Sequence, residues 1–334
     1  MTVPLIMDVD TGVDDMVALL YALGSPDVEL LAATCCAGNV PAPQAAANTL
    51  AVLELAGADH VEVALGSLAP IVAPLRTATS HGPTGVGYAE LPDARGALSS
   101  RFAPDMLVEE ARRRPGEILL VATGPLTNVA LAVRREPELP RLLSRLAVMG
   151  GSFDHPGNVT PAAEFNAYVD PEAAKIVLDA WSAPDVPRPL LCGLNVTEQA
   201  ELRPEHLRRL ADVAGSSDPL VRCITDAVRF KLETNARDGL GEVARMHDPL
   251  ALALALDGTL GETRPGTVGV ELAGPLTRGM TVVDWRGRWG RPPNADVAIR
   301  IDAERFVDAL VERLAALTPQ RAASPAPRSG GPTV

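Results

Sequence analysis

Four carboxylates, Asp8, Asp10, Asp14 and Asp15, fall within the eight residues DVDTGVDD. Oxygen ligands at this density, with no His or Cys nearby, suit a hard cation such as Ca²⁺ or Mg²⁺ better than zinc. The elements that must position them are readable on either side. Val3 to Met7 is a short apolar run with the character of a buried strand, and the run from Met16 to Leu23 has the apolar persistence of a helix packed on a sheet. The aspartates therefore occupy a strand-to-helix turn, with Asp14 and Asp15 in the helix's first turn and Gly12 free to bend tightly. In an open α/β sheet such turns lie at the carboxyl ends of the strands, where ligand crevices form. A purely structural reading makes Asp10 an N-cap, lets Asp14 and Asp15 offset the helix dipole and leaves Asp8 in solvent. Dipole attraction supplies only about 0.3–1 kcal/mol per charge, too little to hold several carboxylates together, so four on one turn favour a functional site.

Other polar residues follow expected strands. The apolar run Val28 to Cys36 ends in Gly38-Asn39, which places Asn39 beside the aspartates. Glu117 to Ala122 runs into TGPLTN, where Gly124-Pro125 leaves Thr123 extended with a carbonyl that the next helix does not use. The segment GNVTPAAEFNAYVDPEAA, Gly157 to Ala174, interleaves Asn158, Glu164, Asn166 and Asp170 with small apolar residues. Amides and carboxylates so arranged suit hydroxyl recognition, and Phe165 among them marks a partly packed backbone. His81 lies in the long Gly/Pro-rich connection Leu68 to Gly96, the kind of loop that often covers a site. His247-Asp248, ahead of the apolar run Leu250 to Leu256, sets a proton donor beside an anion.

Helices are further expected over Ala45–Ala56, Asp105–Arg114, Pro204–Ala211, Leu220–Leu232 and Glu304–Leu317, the last amphipathic. Strands are expected over Val61–Leu65, Leu142–Met149, Pro189–Leu194, Gly269–Leu272, Thr281–Trp285 and Val297–Ile301, with a hairpin among the later ones. This alternation predicts an α/β fold with a mainly parallel central sheet flanked by helices. No break in composition divides the 334 residues, so one domain is expected over 1–317, followed by a disordered tail, 318–334, rich in Pro, Ser, Ala and Gly. Thirty basic against forty-two acidic residues, a net charge of −12, argue against nucleic acid as a partner. No apolar run is long enough to span a membrane, and no basic region followed by an apolar stretch opens the sequence, so a cytoplasmic location is expected. Cys35, Cys36, Cys192 and Cys223 have no metal-ligand spacing and are expected as reduced core residues. Lys175 and Lys231 are the only lysines, a scarcity that fits genomic composition rather than function.

In order along the chain, DVDTGVDD at Asp8, TGPLTN at Thr123, GNVTPAAEFN at Gly157 and HDP at His247 resemble the inosine–uridine-preferring nucleoside hydrolase family. Gly38-Asn39 and His81-Gly82 support the match, which covers nearly the whole chain up to the tail. The resemblance implies an open, Rossmann-like sheet and hydrolysis of the N-ribosidic bond of ribonucleosides to ribose and free base. It implies a Ca²⁺ site made by Asp10, Asp15, Asp248 and the Thr123 carbonyl, with Asp10 as general base on the metal-bound water. It further implies that Asp14 and Asn166 hold the 2′-hydroxyl, Asn39 and Asp248 the 3′-hydroxyl, and Asn158 and Glu164 the 5′-hydroxyl, with His81 and Phe165 also among the substrate-contacting residues. The ribosyl transition state is cation-like, which suits a site dense in carboxylates. The departing base needs a proton, for which His247 is preferred over His81. A homo-oligomer, dimer or tetramer, is expected by the same analogy.

Relatives often place tyrosines or other aromatic residues against the base in the region matching Leu220 to Arg245. This chain has only Phe230 there, and its tyrosines are Tyr21, Tyr88 and Tyr168, which favours purine nucleosides or an unusual ribosyl substrate. Met16 also stands where a smaller residue is usual. Two other readings are open. Asp8, Asp10 and Thr11 match the D-x-D-x-T opening of haloacid-dehalogenase-type Mg²⁺ phosphatases, although neither lysine is followed by the late acidic pair such enzymes need. A non-catalytic nucleoside-binding protein would keep the pocket without turnover.

Overall fold

The structure is a computed structural model that describes residues 2–323. Its strands are β1 (Val3–Val9), β2 (Val28–Cys35), β3 (Glu62–Leu65), β4 (Leu119–Ala122), β5 (Arg145–Met149), β6 (Leu190–Cys192), β7 (Glu201–Leu202), β8 (Ala244–Arg245), β9 (Gly261–Val270), β10 (Thr281–Asp284) and β11 (Ala295–Ile301). The helices are α1 (Val13–Leu23), α2 (Ala42–Leu55), α3 (Ala103–Arg113), α4 (Thr127–Arg135), α5 (Leu139–Leu142), α6 (Phe165–Val169), α7 (Pro171–Ala180), α8 (Leu194–Thr197), α9 (Pro204–Ala214), α10 (Pro219–Arg237), α11 (His247–Leu256) and α12 (Ala303–Ala323).

A nine-stranded sheet runs in the order β10-β9-β11-β6-β5-β4-β1-β2-β3, and β7 pairs with β8 outside it. The strands from β3 across to β11 are parallel, while β9 is antiparallel to β11 and forms a hairpin with β10. The expected fold class, a mainly parallel sheet flanked by helices, is therefore the observed one. The chain winds outward from β1 to β3 and then returns to β4 on the other side of β1. That reversal opens a crevice at the carboxyl ends of β1 and β4. Thr123, just past β4, donates its N–H to the Asp8 carbonyl at 2.8 Å, which fixes the two strand ends together.

Strand alternation sorts the β1 side chains between the two layers. Leu5, Met7 and Val9 join the core under α1, α2, α10 and α11, whereas Ile6 joins the core under α3, α4 and α7. Asp8 shares the Ile6 face. Trp181 and Phe306, both fully buried, fill one layer each.

Several boundaries differ from the sequence reading. β1 reaches Val9, so Asp8 is inside the strand rather than on the turn, and α1 starts at Val13, ahead of Met16. Leu142 ends α5, a single turn opened by Pro140, and β5 begins only at Arg145. Gly193 bends the chain after Cys192, so β6 is shorter than Pro189–Leu194, and Leu194 starts α8. β9 begins at Gly261, well before Gly269, because an edge hairpin is held by ladder hydrogen bonds to β11 and needs no continuous apolar pattern. The last helix continues through Ala323, so residues 318–323, expected in the tail, are helical. Residues 324–334 of that expected tail lie outside the described residues. All four cysteines are buried and unpaired. None of the described helices is long and apolar enough to cross a membrane.

Candidate active site

The turn between β1 and α1 is closed by its own acid. Asp15 accepts from the N–H of Gly12 at 2.9 Å and that of Asp10 at 3.3 Å, so its carboxylate ties down the helix start. Thr123 Oγ1 donates to the same carboxylate at 2.7 Å, joining the β4 end to α1. Asp10 accepts from the Asn39 N–H at 2.6 Å and from Asn39 Nδ2 at 3.2 Å, while Nδ2 also reaches Asp15 Oδ2 at 3.1 Å. Asn39 thus bridges two acids from the end of β2. This close approach needs Gly38, because a Cβ there would collide with the Asp10 carboxylate. Asp248 arrives from the first turn of α11, which packs beside α1, so two helix N-termini converge on the acids.

Carboxylate oxygens of Asp14, Asp15 and Asp248 lie within 4.8 Å of one another. Asp10 is outside that trio, which brings in Asp14 where the sequence reading put Asp10 among the metal ligands. All four groups are buried. Burial, and then the charge of Asp15, holds the Asp10 carboxyl well above its usual range. Asp248 is raised likewise by burial and by its three acidic neighbours, and Asp15 is raised by burial and by Asp14. Burial works in the same direction on Asp14, but the charge of Lys231, joined in acid by His81 and His247 once they are protonated, outweighs it and holds that carboxyl low. Asp14 Oδ1 is buried with no hydrogen-bond partner; His81 Nδ1 is 3.6 Å away and Lys231 Nζ 3.7 Å away. An orphaned oxygen beside crowded, all-oxygen donors is a fit for a hard divalent cation.

Above these acids a cavity of about 300 Å³ opens. Asp14, Asn39, His81, Thr123, Asn158, Glu164, Phe165, Asn166, His247 and Asp248 all line it, so the loops bring together nearly every residue singled out in the sequence. Asp10 and Asp15 lie beneath its floor, fully buried. The Thr123 carbonyl accepts from Asn166 Nδ2 at 2.7 Å, which couples the β4 end to the segment after β5. Glu164 caps α6 through the N–H groups of Asn166 and Ala167 and also accepts from Gly151 N–H, so its carboxylate has a structural duty as well. Asn158 is exposed at the rim and holds the Phe165 N–H at 2.9 Å.

Two acids do not join the site. Asp8 points into the opposite layer, where Thr34 and Asn128 donate to its Oδ1 at 2.6 and 2.8 Å; it is neither solvated nor a cavity residue. Strand alternation sends it there, whereas Asp14 and Asp15 belong to the helix. Asp170 accepts from Thr127 Oγ1, from Ile71 N–H and from Ala173 N–H, which secures the long connection and opens α7.

The two histidines differ from the donors expected of them. Burial pushes His247 down to about 4 and His81 down to about 3, so both rings are neutral near pH 7. His247 Nδ1 is 2.8 Å from Thr197 Oγ1, and His81 Nδ1 accepts from the Val13 N–H at 3.0 Å. A Cβ at position 12 would strike the His81 ring, so Gly12 gives the imidazole its place.

Lys231 was passed over in the sequence and belongs here. It is buried, lines the cavity and sits 3.1 Å from His81 Nε2. The signal was available, since 220, 224, 227, 228 and 231 form one helical stripe, and a lysine on an apolar stripe is out of place on a mere surface. Thr77 to Ser80 complete the rim.

Comparison with known proteins places this geometry. The inosine-uridine preferring nucleoside hydrolase profile matches residues 5–308. A pyrimidine-specific ribonucleoside hydrolase, RihA, of Citrobacter koseri is 38% identical over 317 residues, covering 94% of this chain and 99% of the relative. The purine-preferring ribonucleoside hydrolase from Gardnerella vaginalis superposes with a TM-score of 0.87 at 31% identity, over 94% of this chain and 99% of that one. The plant nucleoside hydrolase PpNRh1 superposes with a TM-score of 0.87 at 33% identity, over 95% of this chain and all of that one.

Proposed function

The chain belongs to the inosine-uridine preferring nucleoside hydrolase family and acts on N-glycosidic bonds, and from that premise we propose that its cavity hydrolyses ribonucleosides to ribose and free base with Asp10 as general base and Ca²⁺ as cofactor. The observation that carries this reading is the gathering of Asp14 and Asp248, which line a cavity walled by amides, with the buried Asp15.

A cation held by Asp15, Asp248, Asp10 and the Thr123 carbonyl, with Asp14 alongside, would supply positive charge that relieves the crowded carboxylates and acidifies a water molecule. Asn166 is oriented through the Thr123 and Met149 carbonyls, which leaves its Oδ1 to accept from a sugar hydroxyl. In this reading Asp14 and Asn166 hold the 2′-hydroxyl, Asn39 and Asp248 the 3′-hydroxyl, and Asn158 and Glu164 the 5′-hydroxyl. Phe165 packs at the sugar end. Asp10, oriented by both Asn39 donors, takes the proton of the attacking water. The surrounding negative charge favours the cation-like ribosyl group as the C1′–N bond opens.

Neutral imidazoles change the second half of the reaction. His247 and His81 act as hydrogen-bond partners of the base rather than as imidazolium donors. On base class, none of the tyrosines lines the cavity, which supports purine nucleosides. The name of the Citrobacter koseri relative points to pyrimidine nucleosides instead. Substitution Asp10→Ala tests the assigned base. Ribose release should fall by about 10³-fold, in the middle of the range for a lost general base, while nucleoside binding persists. Turnover within a few-fold of the unaltered protein would remove Asp10 from the role.

A further inference from the structure

Lys231 carries more than the sugar-binding reading uses. The other lysine, Lys175, forms an i,i+4 pair with Asp179 on an accessible face. Lys231 is buried on the inner stripe of α10, a placement that is costly in desolvation unless partners offset it. The partners present are few. His81 Nε2 is 3.1 Å from Nζ, and Asp14 Oδ1 stands at 3.7 Å, beyond hydrogen-bond length. An ammonium has three donors, so capacity is left for a ligand in the cavity that Lys231 lines.

Carboxylates and amides, among them Asp14, Asp248, Asn39 and Asn166, line the cavity and suit sugar hydroxyls. The nitrogen groups of His81, Lys231 and His247 line it as well. Of these three, Lys231 alone can only donate, because an imidazole ring also offers an acceptor nitrogen, as His81 Nδ1 does to the Val13 N–H.

On the reading that this cavity hydrolyses ribonucleosides, we propose that Lys231 contacts the nucleobase and stabilises the negative charge it gains as it departs. The C1′–N electron pair leaves with the base, and water supplies the hydroxyl that bonds to C1′. The water's other proton goes to Asp10, and the base anion is held by an N–H···N or N–H···O hydrogen bond from Lys231 until solvent protonates it. Because the ammonium only donates, it selects bases that turn an oxo oxygen or an unprotonated ring nitrogen toward α10. Uracil and hypoxanthine meet that requirement.

The test compares natural nucleosides with 4-nitrophenyl β-D-ribofuranoside, whose leaving group departs as a stable anion without help. In Lys231→Met, kcat/KM for uridine and inosine should fall by about 10²-fold, the usual loss for one donor aimed at developing charge. The nitrophenyl riboside should be cleaved within a few-fold of the unaltered rate, and Lys231→Arg should recover part of the nucleoside activity. Equal losses on both substrates, in Lys231→Met and Lys231→Gln alike, would assign Lys231 to the fold or the sugar and overturn the proposal. Undiminished nucleoside cleavage would overturn it too. If the unaltered protein cleaves neither substrate, the hydrolase reading itself falls, and this proposal with it.

Discussion

Asp8 gives a prediction that separates burial from catalysis. Its carboxyl is fully buried and pushed up to about 7 from 3.8, chiefly by desolvation, with hydrogen bonds from Asn128 and Thr34 opposing the rise. A raised folded-state value means that the native protein keeps a proton over a range in which the unfolded chain has lost it. The stabilising contribution is whole below the unfolded value and is lost as pH rises through about 7. A gap of that size corresponds to about 4 kcal/mol, of which about 2.5 kcal/mol disappears between roughly pH 5 and pH 8. Asparagine copies the protonated acid in shape and does not ionise. Oδ1 can still accept from Thr34 and Asn128, and since Oδ2 has no hydrogen-bond partner, an amide NH₂ in its place loses none. The stability of Asp8→Asn minus that of the unaltered protein should therefore increase by about 2.5 kcal/mol over that pH range. Urea unfolding with a chelator present throughout measures it. A difference that stays flat or shrinks as pH rises would refute the burial argument.

The acids of the site make further predictions. Removing divalent cations should lower the melting temperature more at pH 8 than at pH 6. Burial and mutual repulsion raise Asp10, Asp15 and Asp248, so cation-free stability is lost as pH rises, while a cation binds the deprotonated groups more tightly. Calorimetry with and without chelator at the two pH values checks this, and an equal drop at both would contradict it. Gly38→Ala should cost about 1–3 kcal/mol in urea unfolding and reduce turnover, because the new methyl meets both the Asp10 carboxylate and Pro125. An active variant of normal stability would show that Asp10 does not need its observed position.

Much of the site was legible because chemistry and sheet topology agree. A strand, a short acidic turn and a helix place Asp14 and Asp15 at a strand end without knowledge of the tertiary fold, and the same reasoning found Asn39, Thr123 and Asn166. Asp8 misled because β1 runs two residues past the apolar run, so that strand alternation puts its side chain on the Ile6 face. The set of gathered carboxylates likewise depended on three-dimensional approach, which put Asp14 in the trio and left Asp10 out of it. Lys231 was hidden by its rarity, which drew attention to composition and away from its place on the apolar stripe of α10. His247 and His81 were recognised as site residues, but their neutrality follows from burial, which the sequence does not display. Residues 261–268 of β9 escaped because pairing rather than an apolar pattern holds them, and the short α6 because the Glu164 cap, rather than an apolar repeat, starts it.

Cation-dependent cleavage of the ribosidic bond is the centre of this account, and ribose release tests it most directly. Purine and pyrimidine ribonucleosides are incubated with protein that has been stripped with chelator and then supplied with Ca²⁺ or left without it. The account predicts ribose and free base only where Ca²⁺ is restored, with purine nucleosides cleaved faster. Full activity in stripped protein would contradict the cation's role, and the absence of ribose from every nucleoside with Ca²⁺ present would contradict the reaction.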